Sequence, residues 1–332
     1  MTRVLVLSAI ASAINYIESL SGDPSIELHA TDADRFSPGF YRPGVKPHCV
    51  PPARDTMRYR AALDRIIEAE GIDAVIPTSD YDMEGATAYL RDGWEPRAAL
   101  FRPSFETFRN LNDTSVLAGI LDGVLPHLRP RTFRAGHDMT DATFPLVLKP
   151  LNLSGGRGVV FVDDRATLNE AAQRMQSRYG ANFVAQEFIP GQTYVSTLIY
   201  DHDGRLVAGA AMRSTMTFFT WGGGGIAGEM VEQSDLLEIA QQVVAACGGW
   251  RGPVNLEWRR HPDTGRFYVL EANCRLNGYS YLTTMNGLNL PRIVLDTLLG
   301  RPISTPLAVP PTRNFVIGYR EEAVDDWVAP AS

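Results

Sequence analysis

FPLVLKPLNLSGGRGVVFVDD, residues 144–164, holds two apolar runs, one lysine and a glycine-rich turn between them. Arginine supplies nearly all the positive charge of this chain. Only Lys46 and Lys149 are lysine among 31 cationic side chains. A lysine kept against that background suggests a need for a compact ammonium, which a planar guanidinium does not meet. Lys149 ends an apolar strand pattern just before Gly155-Gly156-Arg157-Gly158. Glycines in such a turn let backbone N–H groups wrap an anion. Together they suggest a phosphate ligand. A plain hairpin with a glycine turn is the simpler alternative. A Walker loop is disfavoured, because G-x-x-x-x-G-K-[ST] is absent and a strand pattern follows.

About a hundred residues later the chain reads GPVNLEWR (252–259) and then FYVLEANCR (267–275), separated by the turn-forming HPDTG (261–265). Side chains alternate along a strand, so Glu271, Asn273 and Arg275 share one face of theirs, and by the same rule Asn255 and Glu257 share a face of the preceding run. A hairpin would bring Glu257, Glu271 and Asn273 together. Hard oxygen donors of this kind suit magnesium, which is usually held by one or two carboxylates plus substrate phosphates. Taken alone, this row could be the solvated face of an edge strand. Cys274 alternates to the opposite side, which reads as a packed core thiol rather than a nucleophile.

In order and spacing, LVLKP with SGGRGV, QEFIPG (186–191), GPVNLEW, LEANCR and GLNLPRIVLDTLLG (287–300) resemble the ATP-grasp superfamily. The branch they resemble is that of the carbamoyl-phosphate synthetase large chain and the carboxylate–amine ligases. The resemblance spans about Phe105 to Gly300. It implies an α/β chain, α+β in the nucleotide domain, with an ATP-grasp fold preceded by a small doubly wound parallel sheet. It implies that Lys149 contacts nucleotide phosphates and that Ser154, Gly155, Gly156, Arg157 and Gly158 close over them. Gln186, Glu187, Phe188 and Ile189 would form the hinge around adenine. Glu257, Glu271 and Asn273 would hold two magnesium ions, or manganese, and Arg275 would touch the transferring phosphoryl group. Two positions depart from the family pattern. Asp113-Thr114 stands where a cation usually follows Asp, with Arg109 and Arg131 as candidate substitutes. Thr193 stands where a ribose-binding Glu is usual.

The expected boundaries are a first domain at 1–103, an ATP-grasp subdomain with the glycine loop at 104–185, one with the metal site at 186–303, and a tail at 304–332. In the first part, RVLVLS (3–8), IELHA (26–30) and IDAVIP (72–77) read as buried strands alternating with helices at 10–20 and 56–70. That alternation argues for a doubly wound sheet, with ligands at the carboxyl ends of its strands. Ser8, Asp32 and Asp80 fall there, as candidate substrate neighbours or ordinary caps and turn residues. No G-x-G-x-x-G follows the first strand, so a nicotinamide cofactor is unsupported. The apolar N-terminus contains Ser8, Ser12 and Asn15 and ends in Glu18, which suits strand–helix better than a signal peptide. The glycine run TWGGGGIAG (220–228) reads as a mobile loop over the active site, with a surface linker as the alternative. NFVIGYR (314–320) is strand-like.

Net charge of −7 without a basic run excludes nucleic acid as an expected partner. No apolar run approaches the ~20 residues of a membrane span. Three widely spaced cysteines fit a reducing, cytoplasmic setting. Six histidines show no paired ligand spacing for zinc.

The expected chemistry is ligation of a small carboxylic acid, an amino acid by preference, to an amine through an acyl phosphate, with release of ADP. Arg213, Asn277, Gly278 and Tyr279 are candidate substrate contacts, and a homodimer is common among proteins the chain resembles. Two alternatives are a bicarbonate- or carbamate-phosphorylating enzyme and a nucleotide-binding protein without turnover.

Overall fold

The protein is described here from a computed structural model. It describes residues 1–10, 12–137, 139–151, 156, 158–219, 222–232, 234–278, 280–304 and 314–316, with backbone alone for 218, 219, 222–226 and 314–316.

The chain opens with β1 (Thr2–Val6), α1 (Ser12–Leu20), β2 (Ile26–Asp32), β3 (Val45–Cys49), α2 (Thr56–Glu70), β4 (Ala74–Ile76) and α3 (Asp80–Arg91). The four strands form a parallel sheet in the order β3-β2-β1-β4. β1 is apolar at successive positions because both of its faces are covered. Val4 and Val6 pack with Ala13, Tyr16 and Ile17 of α1, and Leu5 and Leu7 pack with Leu63 of α2 and Ala86 of α3. The strand order reverses beside β1, so a crevice opens between the carboxyl ends of β1 and β4.

Then come α4 (Phe105–Asn112), α5 (Thr114–Val124), β5 (Thr132–Arg134), β6 (Leu146–Pro150), β7 (Val160–Val162), α6 (Arg165–Tyr179) and β8 (Phe183–Glu187). These strands form an antiparallel sheet in the order β5-β8-β6-β7. Leu146, Leu148 and Ala185 bury one face of it against Leu168, Ala171 and Met175 of α6. By alternation Val147 and Lys149 point from the other face, and so do their cross-strand partners Phe161, Gln186 and Val184.

The third sheet is antiparallel. It is built from β9 (Gln192–Tyr200), β10 (Leu206–Phe219), β11 (Gly222–Val231), β12 (Gly252–Arg260), β13 (Phe267–Asn273) and β14 (Asn314–Val316), in the order β13-β12-β9-β10-β11-β14. Between its strands lie α7 (Ser234–Ala246), α8 (Ser280–Met285) and α9 (Leu290–Leu298). One face carries Tyr194, Leu198, Leu256 and Trp258 against α4, α5 and α7. The opposite face carries Val195, Ile199 and Met212, continuous with the apolar side of α1 and α9. That shared core holds the amino end of α1 beside the third sheet.

The glycine run at 220–228 is not a loop across the site. Residues 222–228 belong to β11 and pair with β10, Gly222 opposite Phe219 and Gly225 opposite Thr217. Thr220 and Trp221 lie outside the described residues. Glycine serves close strand approach here: a Cβ on Gly228 would stand 2.6 Å from the Arg213 carbonyl oxygen. Of the tail, Asn314–Val316 pairs with β11 as the edge strand. Its remainder lies outside the described residues, except for Ser304. No helix among the described residues is long and apolar enough to cross a membrane.

Candidate active site

Glu257 and Glu271 lie directly opposite each other on β12 and β13, and Asn255 lies opposite Asn273. One residue beyond Glu257 the pairing slips: Trp258 faces Val269, so Leu270 is the extra residue of a β-bulge. Its carbonyl takes the Lys149 Nζ at 2.9 Å. Lys149 therefore reaches from the second sheet to the third, across the cleft between them. Burial pushes its ammonium's proton affinity down, against the opposing pull of Glu271 and Glu257. The Glu257 carboxyl is held well above the usual carboxylate range, first by burial and then by the charge of Glu271, with Arg275 and Lys149 opposing.

The chain continues past β13 to Arg275, whose own carbonyl accepts the Asn255 Nδ2 at 2.9 Å. Its guanidinium donates to Asn273 Oδ1 at 3.0 Å, which in turn leaves the Asn273 amide nitrogen 3.4 Å from Glu271 Oε1. It also reaches into the first sheet's crevice, to Asp80 Oδ2 at 3.3 Å and Ser12 Oγ at 3.4 Å. Three segments far apart in sequence thus converge on one charged cluster: Lys149, the Glu257/Glu271/Asn273/Arg275 hairpin, and Asp80 with Ser12.

This donor set fits magnesium. Two facing carboxylates, one of them strained toward protonation by the other, gain from a cation between them. Among the described residues no group of three or more His, Cys, Asp or Glu is placed to hold a metal alone. Two carboxylates and an amide oxygen leave coordination positions for phosphate oxygens, as magnesium sites usually do.

At the hinge end, Gln186 Nε2 donates to Thr132 Oγ1 at 3.0 Å, and Glu187 Oε1 accepts from the Thr143 backbone at 3.3 Å. The Phe188 ring meets Phe161 edge-on at 5.2 Å, and Ile189 is half-buried beside it. Thr193 is buried opposite Arg259. Arg259 lies over the Phe188 ring at 5.6 Å and donates to the Gly191 carbonyl at 2.5 Å. Burial lowers its proton affinity and nearby Glu257 raises it. Arg259 was not singled out from the sequence, although alternation in VNLEWR already puts it on the face of Asn255 and Glu257.

The other expected residues scatter. Gly156 and Gly158 both take positive φ, 72° and 74°, between β6 and β7. Ser154, Gly155, Arg157 and Tyr279 lie outside the described residues. Arg213 does not face the cleft. It stands opposite Tyr194, on the Trp258 side of the sheet, and is paired with Glu229. Asn277 is buried and donates to Thr197 Oγ1 at 2.9 Å, and the exposed Gly278 offers its carbonyl to Asn15 Nδ2 at 3.2 Å. Asp113 caps α5, accepting from the Ser115 and Val116 backbone, with Thr114 as the first helical residue. Arg131 is ion-paired with Asp141, and Arg109 is exposed on α4. Asp32 accepts from the Asp34 backbone in the turn after β2. Cys274 is buried in the third sheet's core, where burial raises its thiol well above the ordinary value.

Residues 181–323 match the sequence profile of the family described as ATP-grasp in the biosynthetic pathway with Ter operon. The carbamoyl phosphate synthase large chain of Bifidobacterium animalis subsp. lactis is 26% identical over 192 residues, 52% of this chain and 17% of that protein. This chain thus spans less than a fifth of the length of the curated relatives it matches. The crystal structure of an L-amino acid ligase from Bacillus licheniformis superposes with a TM-score of 0.66 at 20% identity, covering 90% of this chain and 74% of that one. Biotin carboxylase from Campylobacter jejuni, solved as a β,γ-ATP complex, gives 0.71 at 16% identity, covering 94% and 74%. The chain therefore has the ATP-grasp fold, and in sequence it is similar to the carbamoyl phosphate synthase large chain.

Proposed function

We propose that the protein is an ATP-dependent carboxylate–amine ligase acting on small molecules, amino acids by preference, through an acyl phosphate. The observation that carries this reading is the convergence of Lys149 from one sheet with Glu257, Glu271, Asn273 and Arg275 from the other. Phosphoryl transfer needs positioning and charge neutralisation rather than a protein nucleophile, and this cluster offers both. In the first step a carboxylate oxygen attacks the γ-phosphorus and the bond to the β–γ bridging oxygen breaks, releasing ADP. An amine then attacks the acyl carbon, phosphate leaves with the bonding pair, and the nitrogen loses a proton.

Lys149 is assigned to the nucleotide phosphates and Arg275 to the transferring group, where fixed cations offset charge on the equatorial oxygens. Glu257, Glu271 and Asn273 would hold magnesium. When bound, the metal supplies neutralisation of the β- and γ-phosphate charge. Phe161, Gln186, Glu187, Phe188 and Ile189 would receive the base, with Arg259 beside Thr193 at the sugar end. The likeness to a biotin carboxylase solved as a β,γ-ATP complex supports a nucleotide in this cleft.

A second reading, phosphorylation of bicarbonate or carbamate, is favoured by the sequence match to carbamoyl phosphate synthase. One assay separates the two: magnesium- and ATP-dependent hydroxamate formation from pooled amino acids and other small carboxylates with hydroxylamine, scoring ADP against AMP. ADP with hydroxamate supports the ligase. AMP release would mean adenylation and overturn the acyl-phosphate mechanism. ADP release that requires bicarbonate and yields no hydroxamate would move the assignment to the second reading.

A further inference from the structure

The crevice between the carboxyl ends of β1 and β4 opens onto Arg275, and the side chain it presents there is Asp80. The pairing of the two is incomplete. Asp80 Oδ2 accepts from the Arg275 guanidinium at 3.3 Å, a long contact for a charged pair. Asp80 Oδ1 is sheltered from solvent and has no hydrogen-bond partner. A sheltered carboxylate oxygen without a donor is costly unless a ligand supplies one. The local backbone holds this oxygen in place. Ser79 and Asp82 form a reciprocal capping box at the start of α3, with Asp80 as the first helical residue between them. Across the crevice, Ser8 is the only non-glycine residue with positive φ among the described residues, at 56°, and its hydroxyl lies 3.3 Å from that of Ser79.

We propose that Asp80 is a specificity-determining residue that takes the ammonium of the acid substrate through Oδ1, so that the acid activated is a free α-amino acid. This rests on the ligase reading above. An α-amino acid carries its ammonium on the carbon next to its carboxylate, so it needs an anion and a cation side by side. Asp80 and Arg275 are such a couple, and Arg275 is the group assigned to the reacting end. The same carboxylate disfavours acids that lack an ammonium. Bicarbonate, a simple fatty acid or a keto acid would bring a bare negative charge against Asp80, with no positive charge to offset it. Ser12 Oγ, which completes the Arg275 environment, comes from the same crevice. The first sheet thereby selects the acid, while the other two sheets hold the nucleotide.

The test compares the protein amino acids that carry a primary α-amine, the chiral ones in both enantiomers, with their counterparts bearing hydrogen in place of that amine. Binding to the full chain is measured by calorimetry with magnesium and a non-hydrolysable ATP analogue, for the wild type and for Asp80→Asn. The expected result is at least one amino acid that binds the wild type on the order of 10- to 100-fold more tightly than its amine-lacking counterpart. Asp80→Asn should erase that preference. Its melting temperature should match the wild type, and Asp80→Glu should restore part of the preference. The proposal is overturned if the amine-lacking acid binds the wild type equally well, if Asp80→Asn keeps the preference, or if no amino acid of the panel binds. Turnover separates this from the ligase reading. Asp80-dependent amino-acid binding without ADP release would sink the ligase and leave the ammonium site standing. Hydroxamate formed equally well from amine-lacking acids would keep the ligase and remove the ammonium site.

Discussion

Glu257 and Glu271 face each other across neighbouring antiparallel strands, with Lys149 reaching over from another sheet to the carbonyl of the bulged Leu270. Two like charges opposite each other destabilise a sheet. In the assigned role, the cation bound between them offsets that cost.

Replacing Glu271 with Gln keeps the shape of the pair and removes one charge. Magnesium-dependent ATP consumption is expected to fall by at least on the order of 1000-fold, since the negative charge is lost and one carboxylate oxygen is replaced by an NH2 that cannot ligate a cation. Removing Glu271 also relieves Glu257, so thermal stability should be unchanged or raised. ATP consumption within tenfold of wild type would remove Glu271 from the metal site.

Lys149→Arg tests the compact ammonium. Its Nζ lies 2.9 Å from the Leu270 carbonyl oxygen, with burial already working against its charge. A planar guanidinium is larger and differently shaped. ATP turnover is expected to drop on the order of 100-fold in this variant and no less in Lys149→Ala. Near-normal kinetics for Lys149→Arg would refute the argument from lysine scarcity.

The alternation rule alone brought Glu257, Glu271 and Asn273 to one face, because their separations are short and strand geometry leaves few choices. The same rule extends to Arg259, whose position was equally legible. The partnership of Arg275 with Asp80 was not, since 195 positions separate them and only the docking of the first sheet brings them together. Asp80 was legible as a residue at a strand's carboxyl end, but not as one with an unused oxygen. Arg213 and the glycines at 222–228 misled for a common reason. Composition signals charge and chain freedom, whereas cross-strand register decides which face a side chain takes and whether a glycine run is a loop.

The first sheet offers a pH test. His29 is fully buried on β2 and its Nδ1 lies 3.0 Å from His48 Nε2 on β3, with the rings stacked. Glu27, Lys46 and Glu70 surround the pair. Burial lowers the proton affinity of both imidazoles, and for His29 the charge of His48 adds to it. The folded state therefore takes up protons less readily than the unfolded chain. Stability is full above the unfolded value of about 6.5 and falls as pH drops below it. The urea midpoint should decrease from pH 7.5 to 5.5, and less steeply in His48→Asn. Equal slopes for the two proteins would contradict this account.

Gly191 joins the hinge to β9 with a φ of 114°, and a Cβ there would stand 2.0 Å from the Arg260 carbonyl oxygen. The contact is with backbone, so no side-chain rotation relieves it. Gly191→Ala is expected to cost about 2 kcal/mol or more of unfolding free energy, from a left-handed conformation and a steric clash together. The Gly191 carbonyl also receives the Arg259 guanidinium that lies over Phe188. Displacing the hinge backbone should therefore move that guanidinium and weaken ATP binding. Arg259→Lys separates the two effects, because it leaves the glycine backbone alone while giving up the planar contact with the ring. ATP affinity, read by titration with a fluorescent ATP analogue, should fall on the order of tenfold in Arg259→Lys with little change in urea midpoint. Gly191→Ala should lose both. If Arg259→Lys binds the analogue as the wild type does, Arg259 has no part in the nucleotide site. The hinge residues would then have to hold the base without it.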